Sequence, residues 1–146
     1  MFKTAHIIKT CNKFEVPCIL ENPSGSMLFQ AHPIRKLLGL SSSQSTTIDQ
    51  CQYGTRWRKR TRLAAWNCTD MSSLCKLCTG HKGICSLTHK PHILLQGKSP
   101  QGPLWTSIAQ EYPRKLCSAL ASVLIESFEN RFLRRMSYFC GLSQSR

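Results

Sequence analysis

Five of the seven positions from Arg56 to Arg62 are basic, and the run passes straight into Leu63-Ala64-Ala65-Trp66. Dense like charge usually belongs to a solvated tail. Here Trp57 sits inside the run and an apolar stretch follows it, which ties the charge to a folded element. Thr61, Leu63 and Ala65 alternate with Arg60, Arg62 and Ala64. That period of two predicts a strand over Arg60 to Trp66 with one face more apolar than the other. Tyr53-Gly54-Thr55 forms a turn before it, so the charge lies across a turn and a strand start, where it meets a polyanion at a defined place.

A strand needs neighbours, and the chain offers two. Val16 to Leu20 reads as a buried strand ending at the polar turn Glu21-Asn22-Pro23-Ser24-Gly25-Ser26, and Thr46 to Cys51 reads as another after the polar connector Ser41 to Thr47. Thr4 to Cys11 suits a short helix, and Met27 to Leu38 a second, kinked or restarted at Pro33 and ended by Gly39. The strongest helical pattern runs from Ser107 to Arg135, with Leu116, Leu120, Val123 and Leu124 on one stripe that Phe128 and Phe132 extend. Pro113 suits its first turn. Arg131, Arg134 and Arg135 fall in its last turns, either as solvated cations complementing the helix dipole or as a binding cluster.

The chain has 146 residues, of which 41% are hydrophobic, enough for one domain with a core. Twenty Lys and Arg against seven Asp and Glu give a net charge of +13, which costs self-repulsion unless an anionic partner relieves it. Nucleic acid is the leading expected partner, and an anionic membrane surface comes second. The longest apolar run near the C-terminus, Leu116 to Ile125, is about half the ~20 residues needed to cross a bilayer, so no membrane span is expected. Lys3, His6, Lys9 and Lys13 interrupt any secretory signal, which places the protein inside the cell, nuclear or cytoplasmic. The nine cysteines are an odd number, which argues for free thiols or a metal site over a closed disulfide framework.

From Asn67 to Gln101 periodicity gives way to Cys, His, Gly and Lys. Cys75 and Cys78 have the two-residue spacing that lets both thiolates reach one tetrahedral ion, and Cys75, Cys78, Cys85 and His89 make a zinc ligand set. The alternative is a loop with ordinary cysteines.

The order of motifs along the chain resembles the C-terminal half of the cytosine-5 DNA methyltransferases, especially the divergent forms carried by phages and mobile elements. The family's strand ending in Glu-Asn-Val is similar to Ile19-Leu20-Glu21-Asn22-Pro23. Its Tyr-Gly-Val-Pro-Gln followed by an Arg-rich strand start resembles Tyr53 to Leu63, and its Val-Pro-Pro before a Leu/Ala helix resembles Glu111 to Ala121. The resemblance implies that Glu21 contacts the ring nitrogen of a flipped cytosine and supports attack by a cysteine thiolate. Without it, Glu21 reads as a turn or N-cap carboxylate. It also implies that Asn22, Arg56, Trp57, Arg58, Lys59, Arg60 and Arg62 face DNA, with Trp57 stacking and the cations on phosphates. The bland alternative for the cations is an edge strand kept soluble by charge.

Departures from the family are as informative. Its glycine loop for S-adenosylmethionine is missing before Glu21, and Pro17-Cys18 sits inside a strand, as a core residue would, not on a loop as the nucleophile does. Pro23 replaces the valine.

The expected fold is therefore α/β, a partial doubly wound Rossmann-like methyltransferase sheet with a Cys/His-rich insert and a long C-terminal helix. The expected layout is a catalytic-half remnant over 1–66, a recognition-like insert over 67–101, a closing helix over 102–136 and a tail over 137–146. The expected function is a DNA-binding remnant that methylates only with a complementary N-terminal half supplying the S-adenosylmethionine site. The alternatives are a small zinc-dependent nucleic-acid-binding module and an open reading frame without function.

Overall fold

The computed structural model describes residues 2–142. Helix α1 (Phe2–Lys13) leads to strand β1 (Cys18–Pro23), a 3₁₀ turn (Met27–Gln30) and α2 (His32–Leu38). Strand β2 (Ser43–Asp49) runs into a second 3₁₀ turn (Gln50–Tyr53), and β3 (Arg60–Trp66) follows. After a third turn (Ser72–Leu74) and a long irregular segment come α3 (Trp105–Ile108) and α4 (Arg114–Leu142).

The β3 strand is central, antiparallel to both neighbours, in the order β1-β3-β2. Its register is Cys18 to Pro23 against Trp66 to Thr61 on one side and Ser43 to Asp49 against Trp66 to Arg60 on the other. Successive side chains point to opposite faces, so β3 serves two cores. Leu63 and Ala65 pack with Ile48, Tyr53, Met71, Leu74, Leu116 and Val123 under α4. Ala64 and Trp66 pack with Ala5, Ile8, Phe29, Ile34 and Leu37 beneath α1 and α2. The indole nitrogen of Trp66 donates to the Leu37 carbonyl at 2.8 Å, which satisfies the one polar atom of the largest fully buried side chain.

The chain is thus mixed α/β with a small antiparallel sheet, an irregular Cys/His-rich segment and a long C-terminal helix. These three strands do not by themselves show a Rossmann-like sheet. The first strand lies later than the sequence suggests, so Glu21 and Asn22 belong to β1, opposite Leu63 and Arg62, rather than to the turn beyond it. Cys51 falls outside β2, in the 3₁₀ turn. The Met27 to Leu38 helix is broken at Ala31, and Pro33 occupies the first turn of α2, where its missing N–H leaves no bond unmade. Pro113 divides α3 from α4 and its carbonyl accepts from Leu116 and Cys117. Helix α4 continues through Gly141 to Leu142, over positions expected as tail; residues 143–146 lie outside the described residues. Phe128 and Phe132 are exposed and do not extend the core.

Candidate metal centre

Beside the α4 face of the sheet, Cys51, Cys78, Cys85 and His92 bring one ligand atom each to a common point, all within 4.8 Å of one another. The three cysteines are buried and His92 is half-buried. They come from two places. Cys51 is set by β2, which passes without a loop into the 3₁₀ turn that Gly54 closes in the left-handed region at φ 101°. The other three come from a compact knuckle. Ile84 pairs with Pro91, His92 N–H donates to the Gly83 carbonyl at 2.7 Å, and Cys85 N–H donates to the Lys90 carbonyl at 2.9 Å. Lys82, Gly83 and His89 take positive φ, which makes its reversals tight.

Two hydrogen bonds fasten the knuckle to the sheet. Cys78 N–H donates to Asp49 Oδ2 at 2.9 Å, and the Arg58 guanidinium donates to the Cys78 carbonyl at 2.9 Å. Further on, Ile93 N–H donates to the Arg56 carbonyl at 2.8 Å. The knuckle closes only because residue 80 has no side chain. A Cβ there would meet the Ile84 carbonyl oxygen at 1.9 Å and Ser86 N at 2.8 Å. Gly80→Ala is therefore expected to weaken metal binding about 10–100-fold, the range for groups that orient ligands. Gly25→Ala, where nothing lies within 4 Å of the added carbon, should leave it unchanged. Competition against a chromophoric chelator measures both.

The sulfurs differ in their surroundings. Burial raises the Cys78 thiol, but the hydroxyl and N–H of Ser86, with a backbone donor from Gly80, outweigh it and bring the group down to about 6. Ser86 N and Oγ stand 3.4 and 3.5 Å from its sulfur. Cys51 is pushed up to about 12, chiefly by burial. Gln52 Nε2 donates toward the sulfurs of Cys51 at 3.7 Å and Cys85 at 3.9 Å.

The donor set suits zinc. Thiolate and imidazole ligands on a tetrahedral Zn²⁺ sit about 2.3 and 2.0–2.1 Å from the ion, hence roughly 3.5–3.8 Å from each other. Cys78 Sγ and His92 Nε2 already stand 3.7 Å apart. A Cys₃His set fills the coordination sphere, which belongs to a structural ion rather than one with an open position for substrate. Binding would displace the Cys51 proton, since only the thiolate ligates.

Of the ligand set expected from the sequence, Cys78 and Cys85 are in the group. Cys75 is exposed after the Ser72–Leu74 turn, and His89 is exposed with its N–H bonded to the Cys85 carbonyl. The residues that stand with them are Cys51 and His92. Cys75 stands outside the group because the chain between it and Cys78 runs along the sheet edge, where Lys76 O accepts from Asp49 N.

The basic run is largely engaged within the fold. Asp49 is fully buried and receives Arg58 at 3.1 Å and Arg60 at 2.9 Å. Lys59 donates to the Ala109 carbonyl at 3.3 Å and lies over the Tyr112 ring. Arg62 lies 4.8 Å above the Phe29 ring and bonds Ser45 at 3.2 Å. Trp57 donates from its indole nitrogen to Gln50 Oε1 at 3.4 Å.

Glu21 Oε2 accepts from the Tyr112 hydroxyl, while Glu21 Oε1 is buried without a partner. Burial first, then the Glu21 carboxylate, raise the Tyr112 hydroxyl to about 12, so it stays a donor. Cys18 is also pushed up to about 12, by burial first and then by Cys11, which leaves it a neutral thiol at neutral pH. Next to Tyr112, a cleft of about 550 Å³ runs between the Tyr53 to Trp57 turn and the Ile108 to Lys115 segment. No helix among the described residues is long and apolar enough to cross a membrane. No family model, curated protein or solved structure matches the chain.

Proposed function

We propose that this chain is a zinc-stapled nucleic-acid-binding unit. The convergence of Cys51, Cys78, Cys85 and His92 carries the reading. A single ion at that point would fix the irregular segment to the end of β2 and so set the turn that begins the basic run. Zinc here stabilises and orients, and the excess of positive charge supplies affinity for phosphates, which falls with salt.

The test is binding of a labelled oligonucleotide at several salt concentrations, before and after chelation. Salt-sensitive binding that disappears on chelation and returns with zinc is expected. A chain that holds no zinc, or that binds equally well without it, would overturn the reading.

A second reading, that the unit is the C-terminal half of a cytosine-5 DNA methyltransferase, is supported by one juxtaposition. The three segments that resemble the family come together: Glu21 meets Tyr112, Lys59 lies over Tyr112, and Tyr53 to Trp57 share a cleft with Glu111 to Lys115. On this reading β1, paired on one side only, would receive a further strand of a larger doubly wound sheet from an N-terminal half. That half would also bring S-adenosylmethionine and the nucleophile, for which Cys18 is unsuited. Labelled methyl transfer by the isolated chain would contradict it.

A further inference from the structure

We propose that nucleic acid is bound in the cleft between the Tyr53 to Trp57 turn and the start of α4, as a single strand, and not along the basic run as a whole. The inference rests on the nucleic-acid-binding reading above and locates its site. Four of the five basic residues of the run have internal work. Arg58 and Arg60 pair with buried Asp49, Lys59 reaches the Ala109 carbonyl, and Arg62 covers Phe29. A guanidinium already bonded to a buried carboxylate has fewer donors left for a phosphate, and Asp49 offsets one of the two charges at close range.

Arg56 differs. It is exposed and, among the described residues, its side chain makes no hydrogen bond or ion pair. The same holds for Arg114 and Lys115, which face it across the cleft. Three uncommitted cations against one carboxylate, Glu111, give the cleft a net positive lining. The sequence alone separates these cations by more than fifty positions; the fold assembles them.

The cleft is also aromatic. Trp57 and Tyr112 line it, Tyr112 being 46% exposed. The bond from the Trp57 indole nitrogen to Gln50 holds that edge against the protein. Cations that track a backbone, interleaved with rings on which bases stack, are what a single strand needs. A duplex keeps its bases stacked on one another and gains only the cations. At about 550 Å³ the cleft lies within the ~300–1,000 Å³ typical of ligand sites. The turn bearing Arg56 and Trp57 lies between Cys51 and the Ile93 to Arg56 hydrogen bond, so the metal centre would hold one wall of the cleft.

The experiment compares zinc-loaded proteins by fluorescence anisotropy with labelled oligothymidylate and a duplex of equal length. The triple variant Arg56→Ala/Arg114→Ala/Lys115→Ala should bind oligothymidylate at least ~10-fold more weakly, with its salt slope reduced by about 2, near 0.7 per lost phosphate contact. Trp57→Ala should weaken the single strand about 5- to 150-fold, the range for one lost stack, and the duplex much less. The control Lys3→Ala/Lys9→Ala/Lys36→Ala removes the same charge from α1 and α2, behind the sheet. Zinc content and melting temperature of each variant confirm folding. Equal weakening in the two triple variants, or a duplex bound as tightly as the single strand, would overturn the cleft while leaving nucleic-acid binding intact. If the unaltered zinc-loaded protein binds neither probe, the broader reading falls with it.

Discussion

One equivalent of zinc per chain is the expected stoichiometry, and Cys51→Ser and Cys78→Ser should each lose it, whereas Cys75→Ser and His89→Ala should keep it. The contrast separates the observed ligand group from the set that spacing suggests. The effect on stability should be large. Structural zinc contributes an apparent ~10–16 kcal/mol in finger peptides, comparable with or above the ~5–15 kcal/mol of a whole domain. Met71 and Leu74 of the segment that leads into the knuckle belong to the core under α4. Releasing that segment therefore opens one of the two cores, while the Trp66 core on the other face keeps its own contacts. Chelation should give a lower melting temperature and loss of amide protection first in the 70–93 region. Metal analysis by mass spectrometry in native buffer, with hydrogen exchange before and after chelation, checks both parts. Retention of zinc by Cys51→Ser would refute the assignment.

The second large effect concerns Asp49. Replacing both Arg58 and Arg60 by Ala leaves a fully buried carboxylate with only the Cys78 N–H, and stripping a buried charge of its partners costs about 3–5 kcal/mol. The lower end is expected, because the two arginine side chains keep 36% and 46% of their surface in water and solvent screens the pairs. Either single variant should lose less, since the other arginine remains. The pH dependence gives the sign. Burial raises the Asp49 carboxyl, but the Arg60 hydrogen bond, the Cys78 N–H and the two guanidinium charges outweigh it and hold the group below its usual range. A lowered folded value means that the ionised carboxylate stabilises above the unfolded pKa, about 3.9, and that this is lost as pH falls through the folded value. In the double variant burial opposes ionisation with little to counter it, so its deficit should narrow as pH falls from 7 toward 4. Urea unfolding across that range measures the difference; a deficit independent of pH would contradict the role of Asp49.

Local pattern determined much of this protein. The alternation from Arg60 to Trp66 predicts β3 with both its ends, but not its burial, since Leu63 to Trp66 are buried on both faces where the pattern suggested one apolar face. Gly39 marks the end of α2 and Pro33 its first turn for equally local reasons, a cap and a missing donor. The long C-terminal helix and the irregular Cys/His-rich segment were visible too, and so were two of the four residues of the candidate metal group.

Tertiary structure decided the rest. Which strand lies in the middle depends on pairing between distant segments, and β3 is central because it can bury both faces while polar β2 tolerates an edge. Cys51 joins the Cys/His group because β2 ends where the knuckle docks; no spacing rule reaches from there to Cys78. Charge gave the clearest division. The sequence by itself determined that the chain carries a large positive excess concentrated after Tyr53-Gly54. Only the fold decided which cations are engaged, since one buried carboxylate, Asp49, pairs with both Arg58 and Arg60, while Arg56 lines a cleft with Arg114 and Lys115. Coulomb energy depends on distance in space, and a sequence fixes distance only along the chain.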